Sequence, residues 1–196
     1  KQQNERAQNK EDFKPFTNDF IFALVMRDPD ICKGIAELII PDEEIGEVKI
    51  ATADNFLPDK AKEPEVVPQA SLDFGKDMRG VRFDAYVKTA DKWIDIEMQT
   101  TGKSNFPKRS RYYQGMIDLN LIEKCADYSE LKETFIISVC LHDPFKHNEC
   151  VYTFENRCKE VQGLQLGDES TKIFLNASGN KENLPEELKK FLDFLS

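Results

Sequence analysis

Phe135-Ile136-Ile137-Ser138-Val139-Cys140-Leu141 is an almost continuously apolar run. A strand of that composition needs cover on both of its faces. Such strands belong to sheets sandwiched between helices, rather than to sheets with one wet side. The surrounding pattern supplies the cover. Thr17 or Asn18 caps a helix containing Phe20, Ile21, Leu24 and Val25. Asp28-Pro29-Asp30 interrupts it, and a second helix is expected over Ile31 to Leu38. Val48 to Ala51 reads as a short strand, while Pro58, Pro64 and Pro68 discourage long elements after it. Pro107 starts a helix expected to reach about Lys124. Val151 to Phe154 and Lys172 to Leu175 are further strands, and Asn183-Leu184-Pro185-Glu186-Glu187 opens a last helix. Helix, strands, helix, central strand, short strands and helix together predict a mixed α/β fold.

A chain of 196 residues suits one domain with a real core. Lys1 to Asp12 is polar without an apolar period and reads as a flexible arm, with residues 13–196 forming the domain. No apolar run approaches membrane-spanning length. The net charge of -9 opposes broad attraction to nucleic acid or anionic membrane. A local basic patch with a bound metal can still reverse the field at a site. Five cysteines, with no Cys-x-x-Cys pair, indicate a reduced, cytoplasmic chain. Cys140, His142, His147, Cys150 and Cys158 include zinc-ligand types, but their spacing matches no compact ligand signature. A buried free cysteine at position 140 is the simpler expectation.

Two strands carry acids that an apolar pattern does not need. Arg82-Phe83-Asp84-Ala85-Tyr86-Val87 reads as one strand and Trp93-Ile94-Asp95-Ile96-Glu97-Met98-Gln99 as the next, joined by a short polar hairpin connection. Alternation puts Phe83, Ala85 and Val87 on one face and Asp84 on the other. It likewise separates Ile94, Ile96 and Met98 from Asp95, Glu97 and Gln99. Paired strands would bring Asp84, Glu97 and Gln99 together, a set able to hold a hard divalent cation and a water. The plainer reading is a solvated sheet face bearing ordinary charges.

The next helix is basic where it begins. Lys108, Arg109, Arg111, Tyr112, Tyr113 and Gln114 follow closely, with Lys103 just before them. Arg109 and Tyr113 are four apart and share a helical face. Guanidinium forks suit phosphate oxygens, and aromatic rings suit sugar or base. Cations at a helix N-terminus oppose its dipole, which favours a phosphate-facing role over a purely solvated one. Tyr112 is equally readable as core.

These pieces together resemble the PD-(D/E)XK nuclease superfamily, in its recombination-promoting nuclease or transposase branch. The resemblance rests on Lys14-Pro15-Phe16-Thr17-Asn18-Asp19-Phe20-Ile21-Phe22, Gly80-Val81-Arg82-Phe83-Asp84, Asp95-Ile96-Glu97-Met98-Gln99 and Arg109-Ser110-Arg111-Tyr112-Tyr113. It spans the chain from about Phe13 to Leu175. It implies a restriction-endonuclease-like mixed β-sheet flanked by helices, and Mg²⁺-dependent hydrolysis of DNA phosphodiesters, with Mn²⁺ as a substitute. By position, Asp84 and Glu97 match the family's two acids. Gln99 stands where most of the superfamily has Lys, a replacement this branch uses. Phe83 replaces the Pro of the motif name. An acid from the first helical region often completes such sites; Asp19 and Glu37 are the candidates, Asp19 favoured by its place in the matching segment. The resemblance therefore implies Asp84, Glu97 and Asp19 as metal ligands, Gln99 as the residue placing a water, and Arg109, Arg111, Tyr113, Lys103 and Lys108 as DNA contacts.

The leading expectation is a DNA endonuclease tied to recombination or mobile elements. Cutting both strands of a duplex calls for two sites, hence a homodimer. A rival keeps the fold and loses catalysis, leaving a DNA-binding or protein-interaction module. A metal-dependent phosphodiesterase acting on RNA is a third reading, since nothing in the sequence reads a 2′-hydroxyl.

Overall fold

The computed structural model describes residues 17–46, 48–50, 71–72, 81–82, 85–89, 91–100, 105–122 and 125–196. The expected arm, along with Asp84 and Lys103, lies outside the described residues. The strands are β1 (Lys49–Ile50), β2 (Ser71–Leu72), β3 (Val81–Arg82), β4 (Ala85–Lys88), β5 (Lys92–Gln99), β6 (Glu133–Cys140), β7 (Val151–Phe154) and β8 (Ser170–Asn176). The helices are α1 (Asp19–Val25), α2 (Pro29–Ile39), α3 (Phe106–Leu121) and α4 (Glu186–Leu195).

The apolar run becomes β6, inside a sheet of order β1-β4-β5-β6-β8-β7. Its neighbours β5 and β8 both run parallel to it, while β4, β1 and β7 are antiparallel to theirs. This mixed sheet flanked by helices is the restriction-endonuclease-like α/β arrangement expected.

Alternation sorts the two faces as expected. Ile94, Ile96 and Met98 of β5 join Phe135, Ile137 and Val139 of β6 and Ile173 and Leu175 of β8 in one core. Ala85 and Val87 of β4 belong to it too. Helix α1 covers this face through Phe22, with Met26 in the turn that follows it, α2 through Cys32, Ala36 and Ile39, and α4 through Leu188, Leu192 and Leu195. The opposite face carries Asp95, Glu97 and Gln99, and α3 packs over it against β6. The solvated face considered from sequence is therefore corrected: Asp95, Glu97 and Gln99 are all buried.

Three local expectations are revised. The segment Arg82 to Val87 is not one strand: β3 pairs with β2 in a small separate sheet, whereas β4 joins the main one. Asp28-Pro29-Asp30 does not merely interrupt helix. Asp28 Oδ1 accepts hydrogen bonds from the backbone N–H groups of Asp30 (3.0 Å) and Ile31 (3.2 Å), and Pro29 occupies the first turn of α2. Helix α3 ends at Leu121 rather than Lys124.

A turn beyond the end of β6 steadies the start of α3. Phe106, the first residue of α3, packs with Cys140 and Phe174, against Phe145 and Tyr152. The Phe145 ring meets Phe174 edge-on at 5.1 Å. Phe145 is held there by Asp143. Its Oδ1 accepts from the Phe145 N–H (3.0 Å), the Lys146 N–H (2.8 Å) and the Tyr152 hydroxyl (2.8 Å), and its Oδ2 from the Asn148 N–H (2.7 Å). Desolvation alone would raise the Asp143 pKa. The hydrogen bonds outweigh it and hold the carboxyl down at about 2.

Because the folded value lies below the unfolded one of about 3.9, this turn contributes stability in full above that pH. The contribution is lost as pH falls from about 4 towards 2. Amide-exchange protection factors at Phe145 and Asn148, taken relative to the intrinsic rates, should fall across that window, and Asp143→Asn should remove that pH dependence of protection. Unchanged protection down to pH 2 in the parent would contradict the role given to Asp143.

Candidate active site

Glu97 and Gln99 sit two apart near the end of β5, so their side chains leave the same face. In the parallel register Glu97 lies beside Ser138 and Gln99 beside Cys140, at the carboxyl ends of the parallel strands. Ligand sites of open α/β sheets form at that edge. Gln99 Nε2 donates to Glu97 Oε2 at 3.3 Å.

Helix α3 runs back across this face. Arg109, in its first turns, reaches Glu97 and Gln99, whereas Gln114 farther along accepts from the Ser170 hydroxyl (3.1 Å) at the opening end of β8. The buried stripe of α3 is Phe106, Ser110, Tyr113, Gln114, Met116 and Ile117, linked by steps of three and four. Tyr112, read from sequence as a core candidate, falls outside it and is exposed, while Tyr113 is 8% exposed.

Arg109 is the hub. Its Nη2 forms an ion pair with Glu97 Oε2 and donates to the Tyr113 hydroxyl at 2.7 Å. Its Nη1 donates to Gln99 Oε1 at 3.3 Å, and its Cζ lies 4.9 Å from the centre of the Tyr113 ring. The Glu97 side chain is 2% exposed and that of Arg109 is 40% exposed. The carboxylate is thus sealed, and the guanidinium joins it to the surface. Burial raises the Tyr113 pKa first, and the negative charges of Glu97 and Asp95 add to the rise, against the lowering effect of Arg109. Tyr113 therefore stays a neutral phenol. It holds Arg109 from an inward position.

Lys108 and Arg111 are both exposed on α3. Asp84 lies outside the described residues; it directly precedes β4, whose first residue Ala85 pairs with Ile96, the neighbour of Glu97. Asp19 is the first residue of α1. That helix packs in the layer on the other face of β5 from Glu97, and the Asp19 side chain lies outside the described set. Glu37 is on α2, where its carboxylate meets Lys33 at 3.6 Å across one helical turn, a surface pair. Asp95, which alternation places on the face of Glu97 and Gln99, is fully buried and directly opposite Tyr86. Its depth could not be read without knowing that α3 covers this face.

A divalent cation fits the donor chemistry at Glu97. The residue offers hard carboxylate oxygen where a positive charge is already accommodated, with an amide beside it. Among the described residues no three His, Cys, Asp or Glu side chains come together in a cation-binding group, so the proposed set depends on Asp84. The alternative zinc cluster does not assemble. Cys140 and Cys150 pack in separate apolar clusters, and burial pushes the Cys140 thiol up to about 12. Cys158 donates instead to Glu160 at 3.4 Å.

Breaking a buried pair from one side typically costs about 3–5 kcal/mol. With the Arg109 side chain two-fifths exposed, Arg109→Ala should cost about 2 kcal/mol in urea unfolding. Arg111→Ala should stay within about 0.5 kcal/mol, as an exposed substitution does. Equal effects would remove Arg109 from its central place.

The family model described as PD-(D/E)XK nuclease family transposase matches residues 61–196. No curated protein and no solved structure matches the chain.

Proposed function

The chain belongs to the PD-(D/E)XK nuclease family transposases, and from that premise we propose that it is a metal-dependent DNA endonuclease acting in recombination or in mobile elements. Membership supports the nuclease and mobile-element role; the metal, the DNA substrate and the residues below are our reading. The observation that carries it is the buried Glu97 carboxylate at the strand end, paired with an Arg109 side chain that is partly exposed. A purely structural charge would not need an exposed partner.

In this reading residues 13–196 act as one nuclease domain. Glu97 and Asp84 would hold Mg²⁺, for which Mn²⁺ can substitute. When bound, the cation polarises the phosphate and makes a water more acidic. Gln99 carries no charge and cannot serve as a base, but its amide can hold the attacking water in line with phosphorus. Arg109 and Arg111 grip phosphate oxygens as negative charge builds. Tyr113 keeps Arg109 in place rather than touching a base. Lys108 and Lys103 add the local positive field that the acidic chain otherwise lacks. No helix among the described residues is long and apolar enough to cross a membrane. A homodimer would present the two sites that a double-strand cut requires.

One observation favours the rival. Arg109 engages both Glu97 and Gln99, as it would in a lapsed site kept for its packing and still able to bind DNA.

Supercoiled plasmid separates the two. With Mg²⁺ or Mn²⁺ the parent should relax and linearise it, and Asp84→Ala and Glu97→Gln, purified identically, should fall by about 100-fold or more. Cleavage equal in all three would trace to a contaminant and sink the assignment. Binding without cleavage by the parent would establish the lapsed module instead.

A further inference from the structure

We propose that Arg109 is the resident counter-ion of Glu97, holding the carboxylate until a divalent cation arrives and then giving it up. The proposal rests on the reading of Glu97 as a cation ligand and goes beyond it, because it makes Arg109 a competitor for the metal.

A carboxylate as buried as Glu97 is costly unless a positive charge is beside it. Arg109 provides that charge through Nη2 on Glu97 Oε2. A hard cation seeking the same oxygen meets a like charge at contact distance, where repulsion in a water-poor site is strong. The two cations therefore exclude each other at Oε2. Arg109 has somewhere to go. Two of its holds do not involve Glu97: the Tyr113 hydroxyl at 2.7 Å and the Gln99 carbonyl oxygen at 3.3 Å. Both can keep the guanidinium at the site after Glu97 is surrendered. Its side chain is already 40% exposed, so little burial opposes an outward swing.

The consequence is an order of events. Without metal, Arg109 is engaged with Glu97. Once Glu97 turns to a cation, Arg109 gives up that carboxylate and keeps its holds on Tyr113 and Gln99. Phosphate oxygens are then its natural acceptors. Metal arrival and the grip on substrate are thereby coupled through one side chain, and the bare protein pays for its stability with a weakened affinity for metal.

Mn²⁺ binding to the full chain, measured by calorimetry without nucleic acid, tests this directly. Arg109→Gln should bind Mn²⁺ about tenfold more tightly than the parent. It should also unfold at a lower temperature without metal and gain more on adding it. Glu97→Gln should lose the binding. If the parent binds, Glu97→Gln does not, and a folded Arg109→Gln binds no more tightly than the parent, the counter-ion proposal is overturned while Glu97 remains a ligand. If neither the parent nor Arg109→Gln binds, or Glu97→Gln binds as the parent does, the assignment of Glu97 fails and the proposal with it. Arg109→Lys keeps the charge but not the two-pronged hold, and should fall between parent and Arg109→Gln. Should the glutamine variant not fold, affinity of Arg109→Lys equal to or below the parent's overturns the proposal.

Discussion

A carboxylate shut away from water at the end of a strand must have a positive charge beside it, and this requirement organises one side of the molecule. Glu97 is placed by the pleat of β5, which leaves it no choice of face once Ile94, Ile96 and Met98 have entered the core. The balancing charge cannot come from β5 itself, whose polar partners on that face are Asp95 and Gln99. It comes from α3, which must therefore begin where Arg109 meets Glu97 and Gln99. The start of α3 is fixed in turn by Phe106, seated on Cys140 and Phe174 and backed by the Asp143 turn. Strand, helix and turn are thus three supports of one ion pair.

The two faces of the sheet divide the work. One is filled by aliphatic side chains under three helices, and supplies the driving force for folding through burial of apolar surface. Over the other, α3 is the helix that packs among the described residues, and polar groups are retained along its length. At the end opposite Arg109, Gln114 donates to Asp118 at 2.9 Å and accepts from Ser170, whose oxygen also accepts from Lys172 at 3.0 Å. Burial pushes the Asp118 pKa up and the Lys172 pKa down, as expected for charges at a half-dry interface. Helix α3 is therefore bound to the sheet by hydrogen bonds at both ends, which fixes its position more narrowly than apolar contact would.

Much of this was legible in the chain. The apolar run could only be an inner strand, and β6 is one. The alternation in β5 stated which side chains would share a face, and the spacing of four between Arg109 and Tyr113 stated that they would meet. What the pattern left open was depth. Successive residues on a helix differ by about 100° in direction, so Tyr112 and Tyr113 are equally good core candidates until the phase of α3 is set by a tertiary contact. The contact of Arg109 with Glu97 and Gln99 turns Tyr113 inward. Likewise, a strand bearing acids on one face reads as solvated unless a later helix is known to return over it. The division between β3 and β4 was hidden because pairing partners, rather than local composition, decide which sheet a residue joins.

By the resemblance Gln99 stands where most of the superfamily has lysine, and the geometry shows what the amide does here. Its Nε2 donates to Glu97 while its Oε1 accepts from Arg109, so one side chain bridges an acceptor and a donor. An ammonium has donors and no acceptor. At this position it could serve Glu97, but it would leave the Arg109 Nη1 without its acceptor and set two positive charges side by side. Glutamine at 99 and arginine at 109 therefore suit each other: the helix brings the cation to Glu97, and the strand amide serves both the carboxylate and the guanidinium.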